Sequence, residues 1–161
     1  MNIKLLTNED WSAFKSLRLE SLRLHPEAFS SSLKDESLMA DETFQASLTK
    51  NDIFGAFING QLIGCVGFFV FSPQKMRHKG AIFAMYIQPS YRKKGIAEML
   101  LKAVIAHASQ HVTQLHLTVV TTNQVALNLY QKNGFKIYGT EPNALKIDDQ
   151  FYAEHLMVLE F

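Results

Sequence analysis

AIFAMYIQPSYRKKGIAEMLLKAVIAHASQHVTQLHLTVV, residues 81–120, holds the fold in outline. AIFAMYI (81–87) is apolar at nearly every position, the pattern of a strand covered on both faces. Pro89 ends it, because proline has no N–H to give to a ladder. From Gly95 to about His107 the residues Ile96, Met99, Leu100, Leu101, Val104 and Ile105 wrap most of a helical circumference, which reads as a largely buried helix. LHLTVV (115–120) is again strand-like. A strand, a crossover helix and a strand make a parallel unit, right-handed by steric rule.

The turn inside this stretch breaks a local rule. Arg92, Lys93 and Lys94 stand just before the helix, where its dipole disfavours cations by roughly 0.3–1 kcal/mol each. Free backbone N–H groups at such a junction form an anion site. Gly95 has no Cβ and Ala97 is small, so a ligand can come close to the main chain. A bound phosphate reverses the sign of the electrostatic argument, since charge-assisted hydrogen bonds to it are strong. Three cations and several N–H donors suit a diphosphate better than one carboxylate. The G-x-x-x-x-G-K-[ST] loop and a G-x-G-x-x-G after a strand are both absent, which argues against an ATPase or a Rossmann dehydrogenase. Spacing alone leaves a solvated basic turn as the alternative.

Upstream, IKLL (3–6) reads as a first strand, and Thr7 or Asn8 as the cap of a helix running to about Leu24. Trp11, Phe14, Leu17, Leu22 and Leu24 share one broad face of it, together with Arg18 and Ser21. Arg18 either snorkels from the edge of that stripe or overlooks a wet pocket. HPEAFSSSLKDES reads as irregular and DETFQASLT as a short second helix. DIFGAFI and LIGCVGFFVF flank Asn59-Gly60, a strong hairpin signal, and SPQKMRHKG is a polar loop. Downstream, Thr121 or Thr122 caps a helix to about Asn133, with Gly134 at the left-handed C′ position and Phe135 at C″. Asn123, Leu127 and Tyr130 share one face of that helix. FKIYG and FYAEHLMVLEF close the chain as strands. The order predicts an α/β fold in a single domain over residues 1–161. Its central sheet is mixed and mostly antiparallel, contains one parallel strand–helix–strand unit and carries helices on both faces.

Bulk properties narrow the function. The net charge is +1, without the basic excess of a dedicated nucleic-acid binder, and the cations concentrate in KMRHK (75–79) and RKK (92–94). Such clusters in a near-neutral chain fit a compact anionic ligand. No apolar run approaches the ~18–20 residues of a membrane span, and MNIKLLTNED lacks a signal-peptide core, so the expectation is a cytoplasmic protein that binds neither membrane nor nucleic acid. Cys65 is the only cysteine; it lies in an apolar run and reads as a buried thiol.

Arg92-x-x-Gly95-x-Ala97 is similar to the (Q/R)-x-x-G-x-(G/A) acyl-CoA signature of the GCN5-related N-acetyltransferase (GNAT) superfamily. VTTNQVALNLYQKNGF resembles that family's second motif, with asparagine seven residues ahead of tyrosine and a Gly-Phe pair closing the helix. The resemblance covers residues 80–140 well, and the order of elements extends it across the chain. It implies an N-acetyltransferase using acetyl-CoA as co-substrate, with no metal, and a primary amine attacking directly in a ternary complex. The acceptor would be a small molecule, an amino acid or a peptide N-terminus. By the same resemblance, backbone N–H groups of Lys93, Lys94, Gly95, Ile96, Ala97 and Glu98 would hold the diphosphate, with Arg92 opening the loop. Met85, Tyr86 and Ile87 would pair strand-like with the pantetheine arm, one of their N–H groups facing the thioester oxygen. Asn123 would contact the coenzyme, and Tyr130 would protonate the departing thiolate.

The base that deprotonates the amine has no assigned residue. Some relatives carry a glutamate on the fourth or fifth strand, and Thr118 occupies one such spot. His116, Glu154, His155 or a water chain are alternatives. Arg18 could pair with a carboxylate on the acceptor. Two other function classes compete: a non-catalytic acyl-CoA-binding regulatory module, which would have lost Tyr130, and an RNA-binding module, which would need aromatic stacking motifs that the chain lacks. A homodimer is left open.

Overall fold

The computed structural model describes residues 1–161. Seven strands form one sheet: β1 (Asn2–Leu5), β2 (Asp52–Ile58), β3 (Gln61–Val70), β4 (Lys79–Ile87), β5 (Gln114–Val120), β6 (Lys136–Ile147) and β7 (Gln150–Glu160). Their order in space is β1-β2-β3-β4-β5-β7-β6. Every neighbouring pair is antiparallel except β4 and β5. β7 thus slides between β5 and β6, and β6 becomes the far edge.

Helices cover both faces. α1 (Trp11–Leu24), α2 (Leu33–Ser37) and α3 (Asp41–Lys50) lie on the side where Phe14, Leu17, Phe44 and Leu48 pack with Cys65 and Tyr86. α4 (Ile96–Ala108) and α5 (Gln124–Lys132) lie on the other, where Leu100, Leu101, Val104 and Tyr130 join Val66, Phe68, Leu117 and Met157. The expected fold is therefore the observed one. The parallel unit is β4-α4-β5.

Several local expectations are corrected. The polar loop after β3 is shorter than predicted, because Lys79 and Gly80 already pair with β3 and β5. The stretch between α1 and α3 is not irregular: Pro26–Ala28 is a 3-10 turn and α2 is capped by Ser32, whose Oγ accepts from the Asp35 N–H at 3.0 Å. Asn8–Asp10 is likewise a 3-10 turn, so α1 starts at Trp11. FKIYG extends to Ile147, with a break in register between Glu141 and Leu145 where Pro142 cannot donate and Asn143 is left-handed (φ 52°). Leu24 and Met99, expected inside, are 45% exposed, one at a helix end and one on the outer side of α4. Ser21 is buried on the α1 stripe because its hydroxyl donates to the Arg18 carbonyl at 2.7 Å.

Candidate active site

The parallel pair β4–β5 is short. It has three rungs, Lys79↔Gln114, Gly80↔Leu115 and Ala81↔His116, and then the strands part. A β-bulge accompanies the parting. Between Phe83↔Gly67 and Tyr86↔Cys65, β4 holds one residue more than β3, and Ala84 is left-handed (φ 53°). A bulge bends its strand and sharpens the twist. The Cys65 thiol donates to the Ala84 carbonyl at 3.4 Å, and burial pushes that thiol up to about 12, so it stays protonated. The bulge also rephases the side chains. Phe83 and Tyr86 both reach the α1 side, while Met85 and Ile87 reach the α4 side. The β5-facing edge of Met85, Tyr86 and Ile87 has no strand partner, so the sheet opens there into a cleft with unpaired ladder positions.

At the head of that cleft the turn after β4 enters α4. Gly95 is the N-cap, with φ 76° and ψ 0°, and no side chain caps the helix. Lys93 is also left-handed, with φ 60°. The N–H groups of Lys93, Lys94, Gly95, Ile96, Ala97 and Glu98 donate to nothing within the chain. A Cβ on Gly95 would have no atom within 4 Å. The glycine therefore answers to its backbone angles and to open space in front of the amides, not to crowding by its own protein. Arg92 behaves differently from the two lysines. Its Nε donates to the Ile87 carbonyl at 2.9 Å, its Nη2 meets His25 Nε2 at 2.8 Å, and its guanidinium lies over the Tyr86 ring. Arg92 ties the turn to the end of β4 and leaves the amides free. Glu98 gives its carboxylate to Lys102 at 3.0 Å and Lys132 at 2.9 Å, which offsets a negative charge beside the free amides and links α4 to α5.

Tyr130 reaches the cleft from α5. Gly134 (φ 92°) closes that helix in a Schellman turn: Phe135 N–H donates to the Tyr130 carbonyl at 3.1 Å and Gly134 N–H to the Gln131 carbonyl at 3.0 Å. Phe135 packs edge-on against the Tyr130 ring, centroids 5.9 Å apart. The tyrosine is thus held by its carbonyl and its ring, in the same apolar cluster as Ile87 and Val119 on the two lips of the cleft. Its hydroxyl bonds to no group of the chain and still keeps some exposure. Burial of the ring pushes the phenol up to about 12, so it is a proton donor at neutral pH. Asn123, not Thr121 or Thr122, caps α5, its Oδ1 accepting from Ala126 N–H at 3.2 Å. That bond leaves its amide nitrogen available. The Tyr86 side chain points away from the cleft edge and donates to Glu20 Oε1 at 2.8 Å, with Gln88 Nε2 on Glu20 Oε2 at 3.0 Å.

Arg18 does not wait for an acceptor. Its guanidinium grips Glu36 of α2, Nη2 to Oε1 at 2.8 Å and Nε to Oε2 at 3.0 Å, over the Phe29 ring. Sequence reasoning missed Glu36 because α2 read as irregular. On the same side of the sheet, α1 and α3 cover β1 to β4, and the 3-10 turn Pro26–Ala28 reaches over β5 and β6. On that face of β5, β7 and β6 the register groups Thr118, Leu156, Glu154 and Glu141, so the face carries carboxylates. His116 has both ring nitrogens engaged, by Gln114 at 3.3 Å and Tyr138 at 3.4 Å. Burial, then the charges of Lys79 and His78, hold it below the usual histidine range.

Comparison with known proteins decides among the functions this geometry allows. The profile of the Acetyltransferase (GNAT) family matches residues 11–135. The chain belongs to that family. It is accordingly an N-acetyltransferase, an acyltransferase enzyme and not a regulatory shell of the fold. The spermine/spermidine N(1)-acetyltransferase of Bacillus subtilis is 24% identical over 165 residues, covering 99% of this chain and 98% of the relative. A GNAT-family acetyltransferase from Streptococcus pneumoniae superposes with a TM-score of 0.86 at 29% identity, covering 99% of this chain and 98% of that one. The Salmonella typhimurium yncA structure, solved with its cofactor acetyl-CoA, has the same fold, with a TM-score of 0.88 at 17% identity over 99% of this chain and 93% of that one. No helix here is long and apolar enough to cross a membrane.

Proposed function

We propose that the turn Arg92–Gly95 and the first turn of α4 hold the diphosphate of acetyl-CoA, and that the splayed end of β4 holds its pantetheine arm. The observation that carries this is the run of six unpartnered N–H groups, from Lys93 to Glu98, facing open space at Gly95. Lys93 and Lys94 add charge, while Arg92 acts through its grip on Ile87 and His25. The free edge at Met85, Tyr86 and Ile87 suits an extended amide-bearing arm by strand addition. Asn123 offers its amide nitrogen to the coenzyme from the start of α5.

Acetyl-CoA bound there supplies a thioester carbonyl and a thiolate leaving group. The chain's own part is positional and protonic. A main-chain N–H of the β4 edge donates to the carbonyl oxygen, aligned before the reaction and so without reorganisation. Tyr130 Oη hands its proton to the sulfur, a match in acidity for a thiolate that is a strong base. The amine comes from the opposite side of the sheet, under the Pro26–Ala28 turn.

The acceptor is a primary amine, and among amines a polyamine is favoured. Two features support that class: the carboxylates Glu141 and Glu154 on the open face, and the near-full-length match to a spermine/spermidine N(1)-acetyltransferase. A panel of spermidine, spermine, amino acids and peptide N-termini, read by thiol release from acetyl-CoA, tests it. Turnover fastest with a polyamine is expected. Turnover confined to a peptide or an acidic amino acid would overturn the acceptor class and leave the donor site standing. Free transfer by a variant with Gly95, Lys93 and Lys94 all replaced would overturn the donor site.

A further inference from the structure

We propose that Glu154, supplied by β7, is the base that takes the proton from the acceptor ammonium. The inference rests on the donor site proposed above and adds the proton acceptor that neither cleft strand provides. β4 and β5 contain no carboxylate between Lys79 and Val120 on the cleft's walls. Thr118 stands two residues past the last rung shared by β4 and β5, on the lip of the cleft, on the open side of the sheet with His116. β7 lies directly behind that lip. Its register sets Leu156 opposite Thr118 and Glu154 opposite Val120, so Glu154 is the diagonal neighbour of Thr118 on the same face. A glutamate side chain is long enough to span that diagonal. The carboxylate thus arrives at the lip from the adjacent strand. Insertion of β7 between β5 and β6 is what makes this geometry possible.

The surroundings suit the role. Burial raises the Glu154 carboxyl above the usual range, the Thr118 hydroxyl opposes that rise, and Glu141 across the β6 rung adds to it. Other titratable groups lie on that side of the sheet: His116 from β5 with the Tyr138 ring against it, Tyr152 two residues from Glu154 on β7, and His25 and Glu27 around the 3-10 turn that packs on β5 and β6. His116 is engaged at both nitrogens, and His25 is held by Arg92 and faces Glu27 at 3.8 Å. His155 belongs to the opposite face, opposite Val119, and binds Thr140 at 2.8 Å. Glu154 is half-buried, unpaired by any cation, and beside the lip. In the step, one ammonium N–H bond breaks, its electron pair stays on nitrogen, and the proton moves to a Glu154 carboxylate oxygen directly or across one water. The nitrogen then attacks the acetyl carbonyl.

The test is the pH dependence of kcat/KM in wild type, Glu154→Gln, Thr118→Val and Glu141→Gln, with whichever amine of the panel above turns over fastest. At neutral pH, Glu154→Gln should lose roughly 10²-fold, the usual worth of a positioned base. The deficit should shrink as pH rises toward the amine's own pKa, where free amine needs no base. Acetyl-CoA binding, measured by calorimetry, should be unchanged. The acid limb of the wild type should move to higher pH in Thr118→Val, which loses a donor to the carboxylate, and to lower pH in Glu141→Gln, which loses a like charge. A Glu154→Gln deficit equal at every pH would make Glu154 a binding group and overturn the proposal. So would an acid limb that neither neighbour moves, or a variant as fast as wild type.

Discussion

The proposed chemistry falls on a few residues, and each is constrained by something other than its own side chain. Tyr130 is fixed through its carbonyl and its ring, which leaves the hydroxyl uncommitted. Tyr130→Phe should therefore keep the fold and the affinity for acetyl-CoA while lowering kcat by roughly 10²-fold. The direction of its acidity adds a second check. A phenol raised to about 12 is fully protonated across the neutral range. The kcat deficit should be the same from about pH 6 to about pH 9, as steady-state rates would show; a deficit that vanished at either end would take the proton-donor role away. At Gly95 the space for a Cβ is open but the backbone is left-handed. Gly95→Ala should cost about 1–2 kcal/mol of stability, a few degrees of Tm for a domain of this size. It should also raise KM for acetyl-CoA, because the methyl enters the space before the amides. A Tm loss with unchanged KM would mean that nothing binds there.

At the scale of elements, two junctions hold the site together. Gly134→Ala strains a left-handed C′ residue and brings a Cβ to 3.1 Å from Leu159 Cδ1. The expected cost is about 1–2 kcal/mol, and kcat should fall too, because the Schellman turn is what aims Tyr130. Calorimetric melting and kinetics on the same preparation separate the two effects. The Arg18–Glu36 pair joins α1 to α2, with side-chain exposures of 12% and 11%. Its geometry is bidentate, yet Arg18 Nη1 is buried without a partner. Removing only Glu36 leaves a guanidinium uncompensated, so Glu36→Ala should destabilise by about 3–5 kcal/mol. The double change Arg18→Met with Glu36→Leu should be much milder in denaturant titrations. If acceptor KM shifted and stability did not, the pair would belong to substrate recognition and not to the framework.

Across the whole molecule, a net charge of +1 hides a dipolar arrangement. Cations gather at the turn before α4, and carboxylates gather on the open face of β6 and β7. In the proposed reaction the anionic donor and a cationic acceptor would meet the sheet from opposite sides. The affinity for acetyl-CoA should weaken with ionic strength, since the screening length is about 8 Å at physiological salt. The slope should flatten in a Lys93→Ala, Lys94→Ala double variant, as titration calorimetry over a salt series would measure. A wild-type affinity indifferent to salt would assign the binding to the neutral amides alone.

The amino-acid sequence by itself determined the parallel strand–helix–strand unit, the glycine at the α4 cap and the Gly134-Phe135 stop of α5. Each of these is a local matter of periodicity, proline, or a φ that only glycine takes without strain. It could not place Cys65 under the bulge, because the extra residue in β4 exists only relative to β3. Nor could it pair Arg18 with Glu36, since that contact joins residues on separate helices. The same holds for the neighbourhood of Thr118 and Glu154, which lie far apart along the chain and become diagonal partners only when β7 enters the sheet beside β5. Strand order is a long-range packing choice, and it alone decided which carboxylate stands at the cleft.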